Sequence, residues 1–330
     1  NEPSDDSGRS FEFMREAGLQ VTLGRDRWDD PGRPMTTEEL IAACSDADAV
    51  TGVSRDSYQG AFMRACPNLK IISKVGVGVE KIDLATATDL GILVTNTPVE
   101  EGIKAVAEHA VTLMLALSHT IKQLEQVLRS SRWRGPDTSP ANLFGKKIGF
   151  LGFGRIAREV AHRLKNWDVT MVAYDPYVDQ EQAASIGVSL CSLDEVLSQS
   201  DIISVHLVVT RETRDLLGAE QFSLMRPGAL IVNTSRGEVI DEDALANALA
   251  SGHIKGAGLD VFKEEPPDLS HPLFQLPNVI ATPHAAGFAA ESIYANAIAA
   301  AHNIVDALQG RIPQTVVNPA AIPKWQERWS

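Results

Sequence analysis

Lys147-Ile148-Gly149-Phe150-Leu151-Gly152-Phe153-Gly154-Arg155-Ile156-Ala157 runs from a short apolar stretch into a glycine turn and out again with helical spacing. Gly152 permits a tight turn after a strand, Gly154 lets backbone approach a pyrophosphate, and Ala157 keeps the next helix close to the strand. N–H groups at the start of such a helix face an anion. Alone, a Gly-x-Gly-x-x-Ala string is weak evidence. Its surroundings strengthen it: helical residues 156–165 lead into an apolar run, 169–174, that ends on Asp175. An acid about 20 residues past the first glycine can accept hydrogen bonds from the ribose hydroxyls of NAD and would repel the 2′-phosphate of NADP. Asp175-Pro176 could equally be a turn that ends a strand, but with the glycine loop in register NAD is favoured. Arg155 adds a charge-assisted contact.

An earlier stretch repeats the plan. Lys70-Ile71-Ile72-Ser73-Lys74-Val75-Gly76-Val77-Gly78 leads through a helical segment to Ile92-Leu93-Val94, but Lys81 stands where Ala157 stands in the second turn. The second turn is therefore the better dinucleotide site. From about residue 36 short β-branched runs alternate with helical segments, the signature of an α/β chain with mostly parallel sheets. Residues 106–129 read as one long helix before a Gly135-Pro136 loop, and 290–309 as another, with Gly310 as its cap. If the latter returns to the first part of the chain, two doubly wound domains result. One is discontinuous, residues 1–101 plus 288–330; the other is residues 102–287. The chain opens almost at once on a helical stretch, residues 11–17, so a first strand is expected upstream.

With 330 residues, 44% hydrophobic and 22% charged, the composition is globular and the length suits two domains. A net charge of −13, without long charge blocks, disfavours nucleic acid. No apolar run reaches membrane-spanning length and the amino end is polar and acidic, so the expectation is a cytoplasmic protein without a membrane segment. Cys44, Cys66 and Cys191 are widely spaced, which argues against disulfides and against a zinc cluster, and no metal is assigned.

Three polar residues follow apolar runs. Leu230 to Asn233 leads to Arg236, Gly256 to Phe262 leads to Glu265, and Val279 to Thr282 leads to His284. Ligands of open parallel sheets bind outside the carboxyl ends of strands, so three strand ends can meet at one crevice. Arg236 can hold a carboxylate and polarise a neighbouring carbonyl. His284 can give a proton to a developing alkoxide and take it back in the reverse direction. Glu265, paired with His284, would orient its ring and favour the imidazolium. Singly, each is more often a surface or turn residue; together, downstream of a nucleotide loop, they read as a site. His206 ends a strand and is expected to line the cofactor cleft, while His109 and His119 read as bridging or core residues.

These residues resemble the D-isomer-specific 2-hydroxyacid dehydrogenases over nearly the whole chain. The resemblance rests on Gly76-Val77-Gly78 with Ile82-Asp83, Asn96-Thr97-Pro98, Val106-Ala107-Glu108-His109, Gly152 to Ile156, Asn233 to Gly237, Leu259 to Phe262 with Glu265-Pro266, and Thr282-Pro283-His284. It implies a flavodoxin-like, discontinuous substrate domain and a Rossmann NAD-binding domain. It implies hydride transfer between NAD and C2 of a small D-2-hydroxy or 2-oxo acid, with Arg236, Glu265 and His284 catalytic. Cofactor contacts are implied at Arg155, Ile156, Asp175, Thr213, Thr234, Asp260 and Gly287. The substrate carboxylate is expected on backbone N–H groups around Val75 and Gly76, and a homodimer through residues 108–142. Val208 stands where proline is usual, and Glu80-Lys81 replaces Asp-Asn.

Lys74, just before the substrate loop, could hold a second anionic group such as a phosphate as a flexible point charge; the bland reading is a solvated lysine. A chain ending at Ser330 suggests a phosphoglycerate dehydrogenase without a regulatory domain as one specific form. Rival readings are an NAD-sensing corepressor, which keeps fold and triad, and a formate dehydrogenase, which Glu265 opposes because that enzyme carries glutamine there. Phosphite oxidation would want a lysine at Val77.

Overall fold

The computed structural model describes residues 8–24, 34–52, 56–133 and 139–329. The chain divides into two compact units, Asn1–Gly102 with Gly287–Ser330, and Ile103–Ala286. The Gly135-Pro136 stretch lies outside the described residues.

In the first unit, β1 (Ala49–Gly52), β2 (Ile71–Lys74) and β3 (Leu93–Thr95) lie side by side in that order, all parallel. A parallel sheet needs cover on both faces, and the alternation along each strand supplies it. Ile72 and Val94 join Leu40, Phe62 and Met63 on one face, from helices Thr37–Cys44 and Gly60–Ala65. Ile71 and Leu93 turn to the other, against Phe11, Met14, Ile304 and Trp325 of helices Arg9–Glu16, Ala290–Leu308 and Ile322–Trp329. The tail is tied to β3, where the Val94 N–H donates to Asn318 Oδ1 at 2.8 Å. Gly310, at φ +77°, lies just past the long helix and sends its N–H back to the Ala307 carbonyl.

The second unit holds β4 (Lys147–Leu151), β5 (Thr170–Tyr174), β6 (Val188–Leu190), β7 (Ile202–Val205), β8 (Ala229–Asn233), β9 (Ile254–Leu259) and β10 (Val279–Ala281), all parallel, in the order β10-β9-β8-β7-β4-β5-β6. The chain starts in the middle, winds outward to β6, then crosses back to lay β7 on the other side of β4. The reversal between β4 and β7 is the switch point where an open α/β sheet binds its ligand. One face packs Leu151, Ile203 and Ile231 on Val196, Phe222 and Leu245; the other packs Phe150, Ile202 and Val232 on Met114, Val160 and Leu164.

The expected helix at 106–129 is two helices, Glu100–Ser118 and Ile121–Arg129. Thr120 takes φ 49° between them. No glycine or proline marks that break, so hydrophobic periodicity runs through it unaltered. The second helix is anchored to the strand beyond it: Lys122 Nζ donates to the Val279 carbonyl at 2.7 Å.

Candidate active site

The glycine turn is built by close passage of two strand ends. Gly152 has φ +82°, and a Cβ there would lie 2.7 Å from the His206 carbonyl oxygen. Only glycine lets the ends of β4 and β7 meet in this way. The Gly152 N–H donates to the Tyr174 carbonyl at 2.8 Å, and the Phe153 N–H to Asp175 Oδ2 at 2.7 Å. Asp175 Oδ1 accepts the Tyr177 N–H at 2.9 Å. Each carboxylate oxygen accepts one bond and keeps capacity for another, which suits a ribose hydroxyl.

Gly154 precedes helix Arg155–Leu164 and brings no side-chain cap. The N–H groups of the helix's first turn, where Arg155 and Ile156 lie, have no intrahelical acceptor and carry the positive end of the helix dipole. A Cβ at Gly154 would meet nothing within 4 Å, and its φ of −75° suits any residue. Protein packing therefore does not call for glycine at 154, whereas close approach of a phosphate does. Thr234, just past β8, adds a second mark of a ligand: its hydroxyl is buried with no hydrogen-bond partner among the described residues. The residues fit a dinucleotide.

Other expected cofactor contacts also make hydrogen bonds within the protein. The His206 ring places Nε2 2.8 Å from Ser204 Oγ and packs near Phe150, and burial pushes its pKa down to about 3. It is a neutral, half-buried ring at the end of β7. Thr213 Oγ1 donates to the Val208 carbonyl at 2.6 Å and closes the loop after β7. Asp260 lies just past β9 with a side chain 1% exposed. Its carboxylate accepts from Thr282 Oγ1 at 2.6 Å, the Ala285 N–H at 2.8 Å and the Ala286 N–H at 2.9 Å. These bonds staple the turn that leads to Gly287.

The carboxyl ends of β8, β9 and β10, neighbours in the sheet, carry the catalytic candidates. Asn233, fully buried at the end of β8, donates from Nδ2 to the Arg236 carbonyl at 2.8 Å and accepts the Ser235 N–H at 2.9 Å. A Cβ at Gly237 would fall 1.9 Å from the Phe262 carbonyl carbon, so backbone lies on backbone and the Arg236 turn is pressed to the exit of β9. The Phe262 N–H in turn donates to Glu265 Oε1 at 3.2 Å. Glu265 Oε2 lies 2.7 Å from His284 Nδ1.

A carboxylate only accepts, so Nδ1 carries the proton, and Nε2 has no partner among the described residues. His284 and Glu265 side chains are 41% and 30% exposed, open enough for a small molecule. His284 holds φ 52°, a left-handed backbone costing about 1–3 kcal/mol, pinned by its N–H donating to the Asp260 and Thr282 carbonyls. Asn233 and Gly237 stand in the motif that carries the resemblance but receive no role from sequence; the polar residue closing the apolar run 230–232 and the glycine after Arg236 are the signals.

The loop after β2 corrects the expectation that the N–H groups of Val75 and Gly76 hold a carboxylate. The Val75 N–H donates to the Gly52 carbonyl at 3.0 Å and the Gly76 N–H to Thr97 Oγ1 at 2.7 Å, so neither is available to a carboxylate. The next two N–H groups, of Val77 and Gly78, meet no acceptor among the described residues. Gly76, at φ +101°, makes the turn that puts them there. Lys74 is 4% exposed and its ammonium bends back to the Val75 carbonyl, a fixed place where a swinging point charge was expected. Among the described residues no His, Cys and carboxylate cluster could hold a metal, and no helix is long and apolar enough to cross a membrane.

Comparison with known proteins accords with this geometry. Residues 111–286 match the family described as D-isomer specific 2-hydroxyacid dehydrogenase, NAD binding domain. A D-3-phosphoglycerate dehydrogenase of Mycobacterium tuberculosis is 41% identical over 293 residues, 88% of this chain and 54% of that protein. The chain thus spans about half the length of the curated relatives it matches. Among solved structures, a Thermus thermophilus protein superposes with a TM-score of 0.86 at 31% identity, over 94% of this chain and 96% of that one. A D-lactate dehydrogenase of Aquifex aeolicus, complexed with NAD and lactic acid, gives 0.82 at 28% identity, over 96% and 98%. With more than half of its length matched, the chain belongs to the D-isomer-specific 2-hydroxyacid dehydrogenase family and carries that family's NAD-binding domain.

Proposed function

We propose that the chain interconverts a small D-2-hydroxy acid and its 2-oxo acid with NAD, and that Arg236, Glu265 and His284 carry the reaction. The observation that supports this best is the 2.7 Å contact of His284 Nδ1 with Glu265 at adjoining strand ends, in the unit that carries the nucleotide turn. NAD supplies the hydride chemistry when bound. Arg236 holds the substrate and draws electrons toward its carbonyl oxygen through charge-assisted hydrogen bonds. His284 Nε2 gives that oxygen a proton in the direction of reduction and removes it in the direction of oxidation. Glu265 keeps the ring oriented with Nδ1 protonated. We assign the N–H groups of Val77 and Gly78 to the substrate carboxylate, and Gly152, Gly154, Arg155, Ile156, Asp175 and Thr234 to the dinucleotide.

A panel of pyruvate, glyoxylate, hydroxypyruvate and phosphohydroxypyruvate, assayed with NADH, tests the reading. Turnover of at least one is expected, with His284→Ala lowering it roughly 10² to 10⁴-fold while NADH still binds. NADH binding without turnover of any 2-oxo acid would replace it with an NAD-sensing binding protein. Relatives named for phosphoglycerate make phosphohydroxypyruvate the substrate to rank first. Lys74→Met should lower its rank if the buried ammonium serves a phosphate; an unchanged ranking removes Lys74 from the site. NADH should be preferred over NADPH, and Asp175→Asn should narrow the ratio of their kcat/KM values.

A cytoplasmic homodimer belongs to the same proposal. The dimer is supported by large apolar side chains left exposed in the second unit: Ile121, Leu128, Trp133 and Phe144 are 54%, 62%, 76% and 64% exposed. Light scattering on the purified chain checks the dimer.

A further inference from the structure

His109 read from sequence as a bridging or core residue, but it ends a polar chain that runs to the turn carrying His284. His109 Nε2 lies 3.0 Å from Thr282 Oγ1 and 3.7 Å from Asp260 Oδ1. Thr282 Oγ1 lies 2.6 Å from the same carboxylate oxygen. The carboxylate can only accept, so the single hydroxyl proton of Thr282 points to Asp260. The 3.0 Å contact then requires a proton on His109 Nε2, which donates to the hydroxyl oxygen. The order His109 to Thr282 to Asp260 is fixed by the chemistry of the groups. Asp260 holds the other end: its carboxylate takes the Ala285 and Ala286 N–H groups, and its carbonyl takes the N–H of His284.

The packing that brings His109 there can be followed along two elements. A Cβ on Gly256 would lie 3.3 Å from Leu117 Cδ2, and one on Gly258 would lie 3.0 Å from Leu113 Cβ. Helix Glu100–Ser118 therefore runs antiparallel to β9, Leu117 above Gly256 and Leu113 above Gly258. Four helical residues rise about 6 Å and two strand residues about 6.6 Å, so the match holds for one further step. That step sets His109 over Asp260. Two glycines let the helix lie close enough for a side chain on it to reach the floor of the active-site turn.

We infer that His109 is a positioning residue for the reaction: through Thr282 and Asp260 it holds the turn that sets the left-handed backbone and ring direction of His284. The inference rests on the reading of His284 as the acid and base. Loss of the Nε2 donor leaves the Thr282 hydroxyl oxygen without its donor, loosens the staple and lets the His284 ring leave its line to the substrate. Chemistry slows while the nucleotide turn, built on the ends of β4, β5 and β7, is untouched.

The test compares His109→Leu, His109→Gln and Thr282→Val with the unaltered protein, each shown to be folded by circular dichroism. Steady-state rates with the best 2-oxo acid of the panel and NADH affinity by fluorescence are the readouts. His109→Leu should lower kcat at least tenfold and change the NADH Kd less than twofold. His109→Gln, whose amide can donate from the place of Nε2, should restore kcat to within about threefold. Thr282→Val should match His109→Leu, and the double variant should be no worse than either single one, since both cut one chain. An unchanged kcat in His109→Leu, a failure of Gln to restore it, or multiplied losses in the double variant would overturn the inference. If His109→Leu does not fold, the Gln variant and Thr282→Val decide it alone. His284→Ala, measured in parallel, separates the two levels: full activity there sinks the functional reading, while its loss beside an unaffected His109→Leu sinks only this one.

Discussion

Gly154 and Gly152 lie two residues apart and are glycine for different reasons, which makes them separable by experiment. At Gly152 a side chain would strike the His206 carbonyl, whereas at Gly154 it would meet no protein. Gly154→Ala is thus expected to leave the urea midpoint unchanged within error while weakening NADH binding at least tenfold, because the methyl occupies the approach of the phosphate. Unaltered affinity would place the pyrophosphate elsewhere. His206, beside the same turn, gives a pH prediction. Its folded pKa of about 3 lies below the ordinary value of 6.5, so the fold favours the neutral ring. The stability this represents is complete above the unfolded value and is lost as pH falls from about 6.5 toward about 3, at up to about 1.4 kcal/mol per pH unit. His206→Gln, which keeps a polar partner for Ser204, should flatten the acid limb of stability between pH 6 and 4. An identical limb would mean that the ring titrates freely.

Elements were legible where one local pattern decides them. The glycine turn, the acid closing the next strand and the three strand ends bearing Arg236, Glu265 and His284 are all short-range signals. What stayed hidden depends on partners distant in sequence. Whether the Val75 N–H is free turns on its pairing with Gly52, and that of Gly76 on Thr97, so the expected anion site moves two residues along the loop. Asp260 looks like a ligand contact until the turn of residues 282–286 folds over it. The break at Thr120 has no glycine or proline to mark it. Helix Glu100–Ser118 on β9 is the element-scale contact that matters most to the chemistry, and Gly258 is its tightest point. Gly258→Ala puts a methyl 3.0 Å from Leu113 Cβ, and such overpacking costs about 1–3 kcal/mol. Denaturant unfolding should show that loss, together with a fall in kcat as His109 is lifted from Thr282. A loss of stability with kcat intact would uncouple the helix from the active-site turn.

For the whole molecule, the two units carry different parts of the proposed chemistry, and this assigns each ligand a place to be felt. All the dinucleotide contacts proposed lie in Ile103–Ala286, on the turn after β4, the Asp175 turn and Thr234, while the Val77 and Gly78 N–H groups lie in the other unit. Binding protects backbone amides by suppressing local opening, by up to RT ln(1 + [L]/Kd), about 2.7 kcal/mol at a hundredfold excess over Kd. Hydrogen exchange followed by mass spectrometry should therefore show a two-step pattern. NADH alone should slow exchange in peptides covering 150–157 and 174–178, with little effect on the peptide covering 75–79. Adding oxamate, an unreactive analogue of a 2-oxo acid, should then slow exchange at 75–79, because the N–H groups of Val77 and Gly78 acquire an acceptor they otherwise find only in water. Val75 and Gly76, already bonded to Gly52 and Thr97, serve as internal controls within that peptide, and fragmentation to single residues should leave them unchanged in both steps. If oxamate protects 75–79 through Val75 and Gly76 instead, the hydrogen bonds that occupy them are not kept in solution, and the carboxylate site returns to where the sequence alone had put it.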